Sequence, residues 1–396
     1  VVIDNMTTES HFQSLGLSIE YGTNPAIGTV NILGDMQNEV VSYNHTISAF
    51  MGFDKATCEL LVPRIKMEDW LINGLGRYIR VHDSSLTVVW EGFVDQISYS
   101  VGGISISVGP LLDITNRVSA VFSDIAPSAG NVSGTTDVTL IQEDADSQAE
   151  YGIIEGVINA GSMFRDEADQ ICSVYLADKK YPPKSLNLNI ASMQNPSIRL
   201  SCRGFGYWLD AYIYEDLTDA VVASSTKVSD VIDADPNSII LNKDISSNAS
   251  LAYALENQNR SGLTVIKACV NLGDGSDNRW LFGVYENRTA VFEVIPNEIE
   301  YIYEVIDEKQ TISGRGNKLI KPWNVRAGKW IEARDIPLSQ SPRPESYDLR
   351  YDIRSAFIES VTYTMPYSIN ISSANVGKAD QAIAKYGIGA LVGTKN

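Results

Sequence analysis

The sequence predicts a mainly β chain with some α, an α+β fold, and three observations carry that expectation. The first is the stretch from Thr87 to Phe122, TVVWEGFVDQISYSVGGISISVGPLLDITNRVSAVF, which reads as a long strand, a tight turn and a returning strand. The second is the recurrence of short alternating apolar runs bounded by Gly, Pro, Asn and Asp along most of the chain. The third is a handful of stretches whose apolar residues repeat at helical spacing. With 396 residues, 44% hydrophobic and 20% charged, the composition is that of a globular protein of two to four domains.

The hairpin is the clearest piece of geometry. Val101-Gly102-Gly103-Ile104 reads as a two-residue turn, because glycine accepts the positive φ that such turns require. Val101 then faces Ile104, Tyr99 faces Ile106 and Ile97 faces Val108, all on one side. The same register pairs Ser100 with Ser105 and Ser98 with Ser107 on the other side. A slip of one residue would mix the two faces, so the pattern fixes the register. Nearer the base, Trp90 and Val94 on one face and Val89 and Phe93 on the other predict burial on both sides. A strand that is two-sided at its base and one-sided at its tip suits a barrel or sandwich with a projecting hairpin.

Before the hairpin, Leu15 to Tyr21, Thr29 to Leu33 and Val40 to Phe50 read as strands, Lys66 to Leu75 as a short helix stopped at Gly76, and Arg77 to His82 as a strand. Residues 124–150 are small, polar and acidic, as in a linker or projecting loop. A strand is expected at Tyr151 to Asn159 and an amphipathic helix at Met163 to Ala177, closed by Pro182-Pro183. Strands follow at Ser185 to Ile190, Ser197 to Cys202 and Leu209 to Tyr214. Short helices are expected at Val228 to Ile232 and Thr264 to Leu272. Trp280 to Ile295 reads as a hairpin turning at Asn287-Arg288, with Val284 opposite Val291. Pro296 to Val305, Val325 to Ile336 and Phe357 to Met365 are further strand patterns, separated by polar stretches at 306–317 and 337–350. The tail from Ala374 reads as either a weak helix or a docking arm.

Thirty-one basic against 49 acidic residues give a net charge of −18, which argues against binding nucleic acid through clustered cations. No apolar run approaches the length of a membrane span, and the start VVIDNMTTESHF carries no signal-peptide pattern. Cys58, Cys172, Cys202 and Cys269 show no CxxC spacing and are expected as reduced, buried thiols. His11, His45 and His82 fall in no metal-ligand or triad arrangement, and neither a nucleophile elbow nor a phosphate loop is present. Gly273-Asp274-Gly275-Ser276-Asp277-Asn278 lacks the alternating carboxylates of a calcium loop and reads as a hairpin-connecting turn. Tyr207, Trp208, Tyr212 and Tyr214 suit core packing better than a sugar platform. No catalytic residue, cofactor or metal is therefore expected.

Several of these stretches together resemble the phage tail hub proteins, the family that includes the T4-type baseplate hub. They are VVWEGFVDQISYSVGGISISVGPLLDITNRV at 88–118, IRLSCRGFGYWLDAYIY at 198–214 with DADPN at 233–237, WLFGVYENRTAVFEVIP at 280–296, VRAGKWIEARDI at 325–336 and AFIESVTYTMP at 356–366. The resemblance implies two tube-type antiparallel β-barrel domains with smaller inserted α/β elements. It also implies a homotrimer forming a pseudo-sixfold ring between a hexameric tail tube, or distal tail ring protein, and a trimeric spike or fibre. DNA would pass through the lumen without specific binding, eased by an acidic wall. The chain would sit in the virion at the tail tip after assembly in the host cytoplasm.

On that reading residues 1–123 form the first barrel domain and 124–150 a linker or projecting loop. Residues 151–245 are an α+β region contributing to the second barrel, 246–305 are a helix and hairpin region, 306–373 are a C-terminal β region that closes the second barrel or packs on the first, and 374–396 are a tail. A faint echo between residues 90–95 and 281–286 would suit a duplication. The candidate intersubunit contact is the hairpin turn Val101, Gly102, Gly103 and Ile104, since exposed strand edges invite pairing. The alternatives are a hexameric distal tail ring protein and, in another class, a secreted polysaccharide-binding or polysaccharide-cleaving β protein.

Overall fold

A computed structural model describes residues 16–125, 136–189, 196–215, 221–252, 260–274, 276, 278–306, 309–334, 349, 354–365 and 368–374. The first block carries β1 (Leu17–Gly22), β2 (Ile32–Asp35), β3 (Val40–Ser48) and β4 (Gly52–Leu60), then helix α1 (Arg64–Asn73). After it come β5 (Tyr78–Asp83), β6 (Val88–Val101), β7 (Ile104–Val108) and β8 (Arg117–Asp124). The middle holds β9 (Thr136–Val138), β10 (Gln142–Glu143), α2 (Ala145–Tyr151), β11 (Glu155–Met163), α3 (Arg165–Lys179), β12 (Lys184–Leu188) and β13 (Ser197–Arg203). The two-residue strands β14 (Ile213–Tyr214) and β15 (Val222–Ala223), helix α4 (Ser224–Asp233), β16 (Asn242–Ile245), β17 (Leu251–Ala252), β18 (Arg260–Ser261) and α5 (Gly262–Leu272) follow. The last third carries β19 (Trp280–Tyr285), β20 (Thr289–Val294), β21 (Ile299–Ile306), β22 (Lys309–Ser313), β23 (Trp330–Ala333), β24 (Ser355–Thr364) and β25 (Ser368–Ala374).

An eight-stranded antiparallel sheet runs β12–β7–β6–β13–β4–β3–β24–β25. β6 is long enough to serve two partners on one edge. Its base pairs with β5 and its tip with β7, while β13 lies along the other edge. β24 forks in the same manner, with β23 beside its start, β3 beside its end, and β25 opposite both. From the forks extend two wings, β5–β1–β2 and β23–β21–β22. The central strands alternate, as β3 does with Tyr43, His45 and Ile47 buried and Ser42, Asn44 and Thr46 turned outward.

The inner faces of sheet and wings meet in one core, which includes Tyr43, Ile47, Cys58, Trp90, Val94, Leu200, Tyr301, Ile331 and Tyr363. α1 closes one end with Met67 and Trp70. His45 lies in this core between the rings of Tyr43 and Tyr363, at 5.6 and 5.4 Å. Burial, helped by the Arg326 charge, holds its imidazole down to a pKa of about 3. The fold is thus mainly β with some α. No pairing among the described residues closes the sheet into a barrel, because β3, β4 and β6 share one sheet and one core with β13 and β24.

A second core forms where α4 and α5 pack with the β16–β20–β19 sheet and the Phe205–Asp210 turn. Phe93 enters it from β6, while Trp90 and Val94 belong to the first core, so the base of β6 is buried on both sides as the sequence predicts. Glycine makes the join possible. Gly52, at φ +70°, lies so close to β19 that a Cβ would stand 2.5 Å from the Val284 carbonyl oxygen. Trp208 and Tyr212 are fully buried in this second core rather than arrayed on a surface. A smaller unit pairs β8 with β9, β10 and the parallel β11, with Cys172 of α3 packed on Val118 and Ala120.

Several sequence expectations need revision. The stretch 124–150, expected as a linker, carries β9, β10 and α2. The hairpin at 280–295 pairs Val284 with Ala290 rather than Val291, one residue out of the expected register. Its connection is three residues long because Asn287 and Arg288 both take positive φ and the Arg288 N–H is held by the Glu91 carboxylate at 2.6 Å. Asp274 caps a helix-to-strand turn rather than a hairpin, accepting from the N–H groups of Ser276 and Asn278. The echo between residues 90–95 and 281–286 falls in strands with different neighbours, β6 and β19. Residues 337–348 and the tail from 375 lie outside the described residues.

Candidate assembly surface

The outward face of the eight-stranded sheet is polar from edge to edge. One row crosses six strands as Ser185, Ser107, Ser98, Arg199, Glu59 and Ser42. The next reads Gln96, Ser201, Thr57, Asn44, Thr364 and Ser368. A third reads Arg203, Lys55, Thr46, Thr362 and Asn370. Directly opposed residues of an antiparallel pair point to the same side, so the registers alone place these side chains together.

Neighbouring side chains in these rows bind one another. The Thr46 and Thr362 hydroxyls are 3.0 Å apart, Gln96 Nε2 donates to Ser107 Oγ at 3.0 Å, and the Ser98 and Ser107 hydroxyls are 3.2 Å apart. Within the rows Glu59 is the lone carboxylate against Lys55, Arg199 and Arg203, so the excess acid of the chain lies elsewhere. Arg203 is anchored by Asp95, whose Oδ2 accepts from its Nε at 2.7 Å. Burial raises the Asp95 carboxyl above its ordinary range, although Arg203 and the Leu111 and Leu112 N–H groups act against the rise. The surface is therefore rich in hydroxyls, with three cations to one carboxylate rather than an acidic excess, and is set on a sheet whose core side is apolar.

The predicted hairpin forms in the expected register, with Gly102 and Gly103 at φ +53° and +95°. Its edge is not free, however. β12 pairs along β7 from Lys184 opposite Val108 to Leu188 opposite Ile104, and the Asn189 N–H donates to the Gly103 carbonyl at 2.7 Å. Among the described residues the open edges of the sheet belong to β12 and β25. Strands alternate in direction across the eight, so these two edges run in opposite directions. Sequence reasoning missed the part β12 plays, because all five of its residues are exposed and its only signal is the alternation of Ser185 and Asn187 with Leu186 and Leu188. It also passed over β4 at the sheet centre, where Phe53, Ala56, Cys58 and Leu60 are the buried positions.

No protein-family model matches the sequence. No curated protein matches it either. Among solved structures the chain is similar to the prophage MuSo2 43 kDa tail protein from Shewanella oneidensis, at 7% identity and a TM-score of 0.42, covering 92% of this chain and 98% of that one. It is also similar to the tail protein from Neisseria meningitidis MC58, at 8% identity and a TM-score of 0.41 with the same coverage.

Proposed function

We propose that this chain is a structural subunit of a phage tail, placed at the hub, and that its eight-stranded sheet turns the hydroxyl face toward the lumen of a ring. The observation that carries the reading is the unbroken polar face on a sheet with two open edges of opposite direction. β12 of one copy can pair antiparallel with β25 of the next, which extends the same face head to tail without reversing a strand. DNA passing such a wall meets mostly hydroxyls, with Arg203 tied to Asp95 and Arg199 beside Glu59, and no apolar surface that would hold bases. The role is structural, without a catalytic group or cofactor. The partners are further copies of the chain, the tail tube or distal tail ring protein on one side, and a spike or fibre on the other. The hairpin tip at Val101–Ile104 then lies at the joint between copies.

Light scattering on the purified chain, followed by electron-microscope class averages, tests this directly. Against a monomer of 43.4 kDa, a trimer with sixfold-looking projections supports the hub. A hexamer moves the assignment to the distal ring, and a monomer at every concentration overturns the ring. Val101→Lys with Ile104→Lys should block assembly while leaving the monomer folded. A ring that still forms would remove the hairpin from the joint.

A further inference from the structure

Behind the polar rows, the ribbon β6–β7–β12 presents an apolar face that the described residues of its own chain only half cover. Val101, Ile104 and Leu188 form one row and Tyr99, Ile106 and Leu186 the next. α1 packs over Ile97, which a Cβ on Gly74 would strike, and stops there. Beyond it Ile104 is 41% exposed, Leu186 62% and Leu188 68%. A cleft of about 590 Å³ opens between α1 and the ribbon, with Met67, Leu71 and Tyr99 in its wall. Leu61 on its rim is 59% exposed. A contiguous apolar face of this kind marks a docking site.

The other edge of the same sheet indicates the occupant. In a head-to-tail ring, β25 of one copy lies beside β12 of the next, and β25 leads directly into residues 375–396, NVGKADQAIAKYGIGALVGTKN. That stretch offers Val376, Ile383, Tyr386, Ile388, Leu391 and Val392 for an apolar face. It carries Lys378, Lys385 and Lys395 against Asp380 alone, a basic segment in a chain of net charge −18. Extended at about 3.3 Å per residue it spans roughly 70 Å, several times the length of β12, so reach is no obstacle. We propose that residues 375–396 of one copy lie in the cleft and across the Leu186–Leu188 face of the neighbouring copy. This rests on the head-to-tail ring and adds to it a second, side-chain-mediated tie between subunits.

Cross-linking tests the arm separately from the ring. Two full-length versions with different affinity tags each carry one new cysteine, Leu188→Cys in one and Ile388→Cys in the other, and are co-expressed and oxidised. The four native thiols are buried and do not compete. The expected product is a disulfide-linked dimer holding both tags, absent when either new cysteine is omitted. In a third version carrying both substitutions, a bond that forms only within one chain overturns the proposal and leaves the ring standing. So does the absence of a bond in a sample whose mass is that of a ring. A sample that stays monomeric overturns both. Deleting residues 375–396 should weaken the ring by at least about tenfold in dissociation constant, and undiminished assembly at every dilution would also overturn the arm.

Discussion

Replacing His45 with Phe should remove a large part of the acid sensitivity of this protein. The imidazole is 1% exposed, and its Nδ1 has no hydrogen-bond partner. In the unfolded chain it takes up a proton below about pH 6.5, whereas in the folded protein it stays neutral down to about 3. The unfolded state therefore binds more protons through that interval, and stability falls as the pH falls. At about 1.4 kcal/mol per unit, the loss relative to neutral pH is about 1 kcal/mol at pH 5.5 and about 3 kcal/mol at pH 4.5. Glu91, Asp95 and Asp235 work in the opposite direction, since burial raises each carboxyl and favours the folded state once protonated. The comparison must accordingly be made between wild type and His45→Phe rather than on the wild type alone. Urea midpoints measured from pH 7.5 to 4.5 should converge or cross as the pH falls, with the wild type losing the larger share. Parallel curves would mean that His45 titrates alike in both states and would refute the buried, neutral imidazole.

Other expectations follow from the same packing. Leu200→Ala, at a fully buried position of β13 opposite Cys58, should cost about 2–5 kcal/mol in a denaturant titration through the cavity it leaves. Arg203→Met removes the cation from the buried Asp95 carboxylate and should cost about 2 kcal/mol at neutral pH. That loss should shrink in acid as Asp95 takes up a proton. Burial pushes the Cys58 and Cys202 thiols well up and Cys269 to about 12, so a disulfide reagent should titrate these thiols only after unfolding. Fast labelling of the native protein would contradict their placement.

The hairpin at Gly102-Gly103 was legible residue by residue, because a two-glycine turn and strict alternation leave one register in which Tyr99 and Ile106 share a face. Helices α1, α3, α4 and α5 were legible in place and type, with ends displaced by a few residues, as at α1, which starts at Arg64 and stops before Gly74, whereas α2 fell in a stretch read as a linker or projecting loop. The hairpin at 280–295 was misread by one residue. Its turn is held by Glu91, a residue nearly two hundred positions away, and a local pattern carries no such information.

By itself the sequence determined that this is a β-rich chain with reduced buried cysteines, short helices between strands and a hairpin of fixed register, all consequences of side-chain alternation and turn chemistry within a few residues. Only the tertiary structure decided which strands lie side by side. The hydroxyl face takes Ser98 and Ser107 from one hairpin, Arg199 from β13, Thr46 and Thr57 from β3 and β4, and Thr362 with Asn370 from the far end of the chain. In sequence each is an unremarkable polar residue on the solvent side of a strand. They become one surface because the apolar residues on their opposite faces, from Ile97 through Leu200 and Cys58 to Tyr363, can leave water only by closing on a single shared core.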